Sequence, residues 1–100
     1  MPHADTQQLV VAVYLTRRGS SPAKIRELIR RRLCEEPSPE IYYRAREVLS
    51  SLPENAVNEW LNKQISHGKL VELPKIDEWF TELTDELVGE GSHRPPQVEG

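Results

Sequence analysis

The sequence predicts an all-α fold, a compact bundle of about five helices with at most one short extended segment. Apolar residues recur at spacings of three and four along most of the chain, which is typical of helices with one buried face. Serine followed by proline, a pair that suits the first residues of a helix, occurs at Ser21-Pro22 and at Ser38-Pro39. Glycines follow several of the periodic segments, where they suit helix ends.

One hundred residues are enough for a single domain. We expect this domain to occupy residues 5–89, after a flexible N-terminus formed by residues 1–4. Residues 90–100 are polar, contain a pair of prolines and show no apolar periodicity. The sequence therefore predicts a disordered tail there, because such a composition cannot offset the entropy lost on ordering.

The first helix is predicted to begin at a cap formed by Asp5 or Thr6 and to run to Arg18, where Gly19 stops it. Its centre is an unbroken apolar run, residues 9–15, that is rich in valine. A strand is the competing interpretation, because periodicity alone cannot assign a short run with so many β-branched residues. We favour the helix.

The second helix follows Ser21-Pro22 and carries three consecutive arginines. Helical spacing puts one apolar stripe on this helix, made of Ile25, Leu28, Ile29 and Leu33. Arg30 and Arg31 point away from that stripe, whereas Arg32 projects from the middle of it. Cys34, late in the same helix, is expected to pack.

The third helix follows Ser38-Pro39, and its apolar stripe leaves Tyr43 on the opposite, outer side. The fourth helix begins at Pro53 and ends at Gly68, which offers a left-handed cap. Residues 69–73 are predicted to be extended, because Pro74 disfavours helical backbone in the residue before it. The fifth helix then runs to Gly89. The fourth and fifth helices each place one tryptophan, Trp60 and Trp79, on the apolar side.

Charge is distributed unevenly along the chain, although the net charge is only −3. Counting lysine, arginine, aspartate and glutamate gives +5 for residues 1–34, −3 for residues 35–68 and −5 for residues 69–100. Such asymmetry is typical of a nucleic-acid-binding surface, but it also arises when a basic and an acidic element of one fold dock together. The sequence leaves both interpretations open.

The sequence contains no pattern expected of an enzyme. It has no HExxH, no GxSxG and no phosphate-binding glycine loop, and its histidines are scattered at His3, His67 and His93. We therefore expect no catalysis, no metal and no cofactor. The longest apolar run is too short to span a membrane, and one cysteine without a leader favours the cytoplasm.

Two groups of residues are candidates for interaction sites. The first is a partner-binding site formed by Arg30, Arg31, Arg32 and Tyr43, since arginine and tyrosine are enriched at interfaces. The second follows from the first helix, which is apolar nearly all round and needs cover on every side. A symmetric dimer would provide that cover through an interface made of Leu9, Val10, Val11, Val13 and Tyr14. The other solution places this helix at the centre of a monomeric bundle.

Part of the chain also resembles a winged-helix domain. In the stretch AVNEWLNKQISHGKLVEL a helix ends at glycine and passes into an apolar segment, as a recognition helix passes into a wing strand. The resemblance covers residues 9–73, departs from the pattern in its extra helix at residues 39–52, and implies a DNA-binding transcriptional regulator. Our main prediction is a small non-enzymatic regulatory protein that binds and modulates another protein, such as a transcription factor or a component of host machinery, in the manner of an anti-activator or inhibitor; the direction of regulation stays open. Nucleic-acid binding through the basic second helix is the alternative.

Overall fold

The computed structural model describes the backbone of residues 2–92 and the side chains of residues 6–89. Within that part of the chain every regular element is helical, which confirms the all-α class. The helices are α1 (Pro2–Arg17), α2 (Pro22–Leu28), a π-helical turn (Ile29–Leu33), α3 (Pro39–Ser51), α4 (Glu54–Gly68) and α5 (Leu73–Ser92). Of the expected disordered tail, residues 93–100 lie outside the described residues.

Helix α1 lies at the centre of the bundle and is covered on all sides. Every side chain of the run at residues 9–15 is buried, with exposed fractions between 0% and 8%. Helices α2, α3 and α4 pack around it, and α5 reaches it through Tyr14, whose hydroxyl donates a 2.8 Å hydrogen bond to Asp77. The helical interpretation of this run is therefore correct, and the strand is excluded.

This burial corrects the expected dimer interface. The five residues assigned to it lie inside a single chain and present no surface to a second copy; they are Leu9, Val10, Val11, Val13 and Tyr14. The expectation failed because other helices of the same chain cover the apolar surface of α1, so that no partner is needed for this purpose. The second solution, α1 at the centre of the bundle, is the one adopted.

Both serine–proline pairs begin helices as predicted. Ser21 precedes α2 with extended backbone, and its hydroxyl accepts a 3.3 Å hydrogen bond from the Lys24 amide, while Pro22 is the first helical residue. Ser38 occupies the same position before α3, although its side chain makes no capping bond. Gly19, with φ of +89°, reverses the chain between α1 and α2.

Several helix ends differ from the prediction. Helix α1 already begins at Pro2, before the expected cap at Asp5 or Thr6. Helix α5 continues through Gly89 to Ser92, because a glycine inside a helix costs only about 1 kcal/mol and does not break it. At the end of α4 it is Lys69, with φ of +53°, that adopts the left-handed conformation, one residue later than expected.

Residues 69–73 do not form an extended segment. Lys69 ends α4, residues 70–72 make a short connection, and Leu73 already belongs to α5. Pro74 tolerates this arrangement because the first turn of a helix needs no amide donor. The wing strand that a winged-helix domain requires is therefore missing from the described chain, and the segment after α4 enters a helix instead.

The π-helical turn after α2 was also not expected. In a π-helical turn the backbone bonds reach from residue i to i+5, which shifts the side chains away from their α-helical positions. Leu33 is therefore only half-buried, whereas Ile25, Leu28 and Ile29 are buried as predicted. Cys34, expected to pack, is exposed and has left-handed backbone with φ of +59°.

Candidate partner-binding site

Two of the three consecutive arginines bind the acidic face of α5. Arg32 lies 3.3 Å from Glu82 and 3.2 Å from Glu86, and its side chain is 21% exposed. Arg31 lies 3.0 Å from Glu86 and 2.6 Å from Glu27 of its own helix. The pKa of Glu86 falls below its usual value because both arginines donate hydrogen bonds to its carboxylate, the larger effect coming from Arg32. These contacts attach α5 to the basic turn.

Arg30 pairs with carboxylates that lie outside α5. It lies 3.4 Å from Glu27 and 3.2 Å from Glu36, and Arg26 shares Glu36 at 2.7 Å. The hydrogen bond from Arg31 is the main reason why the pKa of Glu27 is lowered. Of the two interpretations of the charge asymmetry, the docking of a basic on an acidic element is the arrangement observed here.

Tyr43 belongs to another surface. It is 70% exposed and lies on a groove with a volume of about 390 Å³, formed where α1 ends and where α2 and α3 begin. The remaining lining residues come from these three regions, and they are Thr16, Ser20, Pro22, Pro39, Tyr42 and Arg46. The predicted partner-binding set is thus divided, since the lining includes none of the three arginines of the π-helical turn.

Local sequence explains why this groove forms. Gly19 reverses the chain inside the first connection, so that Pro22 starts α2 close to the last turn of α1. Pro39 starts α3 in the same way. Helix α3 runs antiparallel to α1, because Thr16 of α1 lies near the beginning of α3 and Leu9 of α1 lies near the end of α3. Helical spacing from Pro39 then carries the two tyrosines and Arg46 along the groove.

Tyr42 forms part of the groove wall and is half-buried. Its hydroxyl is shielded from solvent and has no hydrogen-bond partner among the described residues. Burial raises the pKa of this hydroxyl, so it remains a donor across the physiological range. A shielded hydroxyl without a partner costs about 1–3 kcal/mol.

Arg46 supplies the charge of the groove. Its side chain is exposed, and within the described residues it makes no ion pair, in contrast to Arg26 and the three arginines of the π-helical turn. The groove therefore combines two tyrosine side chains and two prolines with one available cation. Such a composition is typical of protein interfaces, in which aromatic and arginine side chains dominate the binding energy.

Sequence reasoning identified Tyr43 from its outward position but missed Tyr42, Arg46 and both prolines as parts of a site. The serine–proline pairs were interpreted only as helix starts. The available signal was the repetition of that pair together with two tyrosines in the first turns of the following helix. It could not be used without knowing that the beginnings of α2 and α3 meet.

Two further kinds of site, namely metal-ligating clusters and membrane-spanning helices, are absent from the described part of the chain. Residues of the types that ligate metals do not cluster there in groups of three or more. None of its helices combines the length and the apolar character needed to cross a bilayer. Compared with known protein families, curated proteins and solved structures, the chain shows no significant match to any of them.

Proposed function

We propose that this protein is a small non-enzymatic regulator that binds another protein through the groove beside Tyr43 and modulates it. The compartment we propose is the cytoplasm, where the exposed thiol of Cys34 stays reduced. The groove gives this proposal a location that the arginines of the π-helical turn do not, since those are already bound to carboxylates of the same chain.

The exposure of Tyr43 is the observation that carries the proposal. Among the described residues only Tyr43 and Val88 are large apolar side chains with most of their surface in water. Val88 stands on the outer face of α5, whereas Tyr43 stands at the edge of a concave, mainly apolar surface. A rigid aromatic side chain next to a groove is a typical anchor for a partner, because little side-chain entropy is lost when it is covered.

The two alternatives are less well supported by the same surface. A homodimer through α1 is no longer needed to cover that helix, so self-association is not part of the proposal. DNA binding through the basic second helix would require Arg30, Arg31 and Arg32 to exchange their carboxylates for phosphates. A partner that covers Tyr43 needs no such exchange.

A comparison of three variants tests the proposal. Wild-type protein, Tyr43→Ala and Val88→Ala are immobilised and exposed to host lysate with and without nuclease treatment, and the captured proteins are quantified by mass spectrometry. We expect a set of proteins that wild type and Val88→Ala retain and that Tyr43→Ala loses. Both substitutions are at exposed positions, so stability should change by no more than about 0.5 kcal/mol.

Two results would contradict the proposal. One is capture that is the same with and without Tyr43, which would place the partner on another surface. The other is capture that disappears on nuclease treatment of the wild type, which would favour the nucleic-acid alternative.

A further inference from the structure

We infer that the groove binds an extended acidic segment of the partner, with a carboxylate paired to Arg46 and apolar side chains against Tyr42 and Tyr43. This inference rests on the proposed function, because it names the chemistry of the ligand for the same groove. The segment could carry its carboxylate as aspartate or glutamate.

Charge complementarity is the first argument. Arg46 is the one charged residue that lines the groove. Most cations of the preceding helices are already neutralised, as Arg26 is by Glu36 and Arg18 by Asp77. An anionic side chain that enters the groove therefore meets a cation without a competing carboxylate, and pairs with it more strongly than at a paired site.

The unpaired hydroxyl of Tyr42 is the second argument. Tyr42 lines the groove one helical turn before Arg46 on α3, and its shielded hydroxyl has no acceptor among the described residues. Carboxylates have two oxygens and accept several hydrogen bonds, so an acidic segment paired to Arg46 also brings an acceptor that this hydroxyl can reach when the ring turns towards the groove. A basic or purely apolar segment offers no acceptor of comparable strength.

Shape is the third argument, and it favours an extended segment over a folded surface. The volume of about 390 Å³ is near the lower end of the range of ~300–1,000 Å³ for pockets that hold a small ligand. A few consecutive side chains fill such a space. The walls at Pro22 and Pro39 are rigid, which reduces the entropy lost on binding.

The same observations argue against single-stranded nucleic acid as the ligand. Stacking of bases on Tyr43 would be possible, but affinity for nucleic acid depends on the neutralisation of several phosphates. The groove offers only Arg46 for that purpose. A polypeptide with one carboxylate matches it better.

Selection from a display library of short random peptides tests the inference. We expect wild type to select peptides enriched in aspartate and glutamate. Arg46→Glu should reverse the preference and select lysine and arginine, because the charge of the groove is inverted. Arg44→Glu is the matched control: Arg44 is exposed on the same helix but lines a different depression, beside Trp60. It should keep the acidic preference.

One selected peptide is then measured directly by fluorescence anisotropy against wild type and Arg46→Ala. We expect roughly tenfold weaker binding by the variant, as befits the loss of a hydrogen bond between charged groups. Replacing the acidic residue of the peptide by its amide should weaken binding to wild type by a similar factor, and should have little effect on the Arg46→Ala variant.

The outcomes separate this inference from the proposed function. Peptides that depend on Tyr43 but are uncharged or basic would overturn the acidic ligand and leave the groove as the binding site. Selected peptides that bind Tyr43→Ala as well as wild type would overturn both. Tight binding of a single-stranded oligonucleotide that competes with the selected peptide would replace the acidic segment by nucleic acid.

Discussion

Gly68 and Gly89 both lie inside helices, but the same substitution meets different surroundings at the two positions. An added Cβ at Gly68 would lie 3.1 Å from Cγ of Leu70, closer than ordinary van der Waals contact, whereas nothing lies within 4 Å at Gly89. Alanine favours a helix over glycine by about 0.5–1 kcal/mol. We expect Gly89→Ala to raise the free energy of unfolding by up to about that amount.

Gly68→Ala should lower the free energy of unfolding, because Leu70 packs against the core and must move. Urea unfolding of the two variants, followed by circular dichroism, provides the comparison. An equal gain in both would mean that Leu70 shifts at no cost and that the glycine is not needed for its packing.

Single residues were predicted well where a short sequence pattern determines the backbone. Ser21 and Pro22 are such a case, since the serine hydroxyl and the proline ring act within one turn. Lys69 is the opposite case. Leu70 lies where a side chain at Gly68 would project, and the left-handed residue is one position later than the glycine suggests. That displacement depends on tertiary packing, which no local pattern contains.

At the scale of the element, α1 is the structural centre of the protein, and a core substitution tests this role. Leu15 is fully buried, and Leu15→Ala should lower the free energy of unfolding by about 2–5 kcal/mol through lost contacts and a cavity. Val88→Ala, at an exposed site, should change it by no more than about 0.5 kcal/mol. Thermal unfolding measures both.

Sedimentation of the same two variants separates the central role of α1 from the role in a dimer interface. At a temperature where Leu15→Ala is still folded, its molecular mass should equal that of wild type. A wild-type dimer that dissociates in Leu15→Ala would restore the interface expected from the sequence, and would show that residues 9–15 rearrange on association.

The π-helical turn that contacts α5 provides a prediction about pH, because its arginines pair with carboxylates whose pKa is lowered. Glu27 and Glu86 both have a pKa below the usual 4.5, caused mainly by hydrogen bonds from Arg31 and Arg32 respectively. The folded state therefore favours the ionised form. The resulting stabilisation is present above about pH 4.5 and is lost as the pH falls through the lowered folded values.

We expect the urea midpoint of wild type to fall as the pH drops below about 4.5. Glu86→Gln should be less stable at neutral pH and should show a smaller fall. Asp85→Asn is the control, since the Asp85 carboxylate makes no ion pair within the described residues, and its profile should follow wild type. Parallel profiles for Glu86→Gln and wild type would show that this carboxylate does not contribute to the acid sensitivity.

For the whole molecule, composition and periodicity predicted the helical class and the approximate place of each helix. They did not determine the role of the uneven charge distribution. A basic cluster has the same sequence pattern whether its arginines pair with phosphates or with distant carboxylates of the same chain. Arg32, for example, pairs with Glu82, 50 residues further along the chain. They also did not predict the groove, which unites the ends of three helices. The ion pairs of the basic cluster and the groove both depend on tertiary contacts between helices, which are known only from the folded structure.

The last prediction concerns the attachment of α5 to the rest of the fold and uses a charge exchange. Arg32→Glu places a third carboxylate beside Glu82 and Glu86, and Glu86→Arg places a third guanidinium beside Arg31 and Arg32. Each change alone should lower the thermal midpoint, because it sets like charges side by side at the contact. Combining them restores an opposite pair at the same contact, so the double variant should be more stable than the sum of the two losses predicts.

Because the pair is partly solvated, added salt should reduce this recovery of stability in the double variant. The result that contradicts this prediction is a double variant whose loss of stability equals the sum of the two single losses at both low and high salt. It would mean that only apolar contacts attach α5, and that the uneven charge of the sequence serves binding to another molecule.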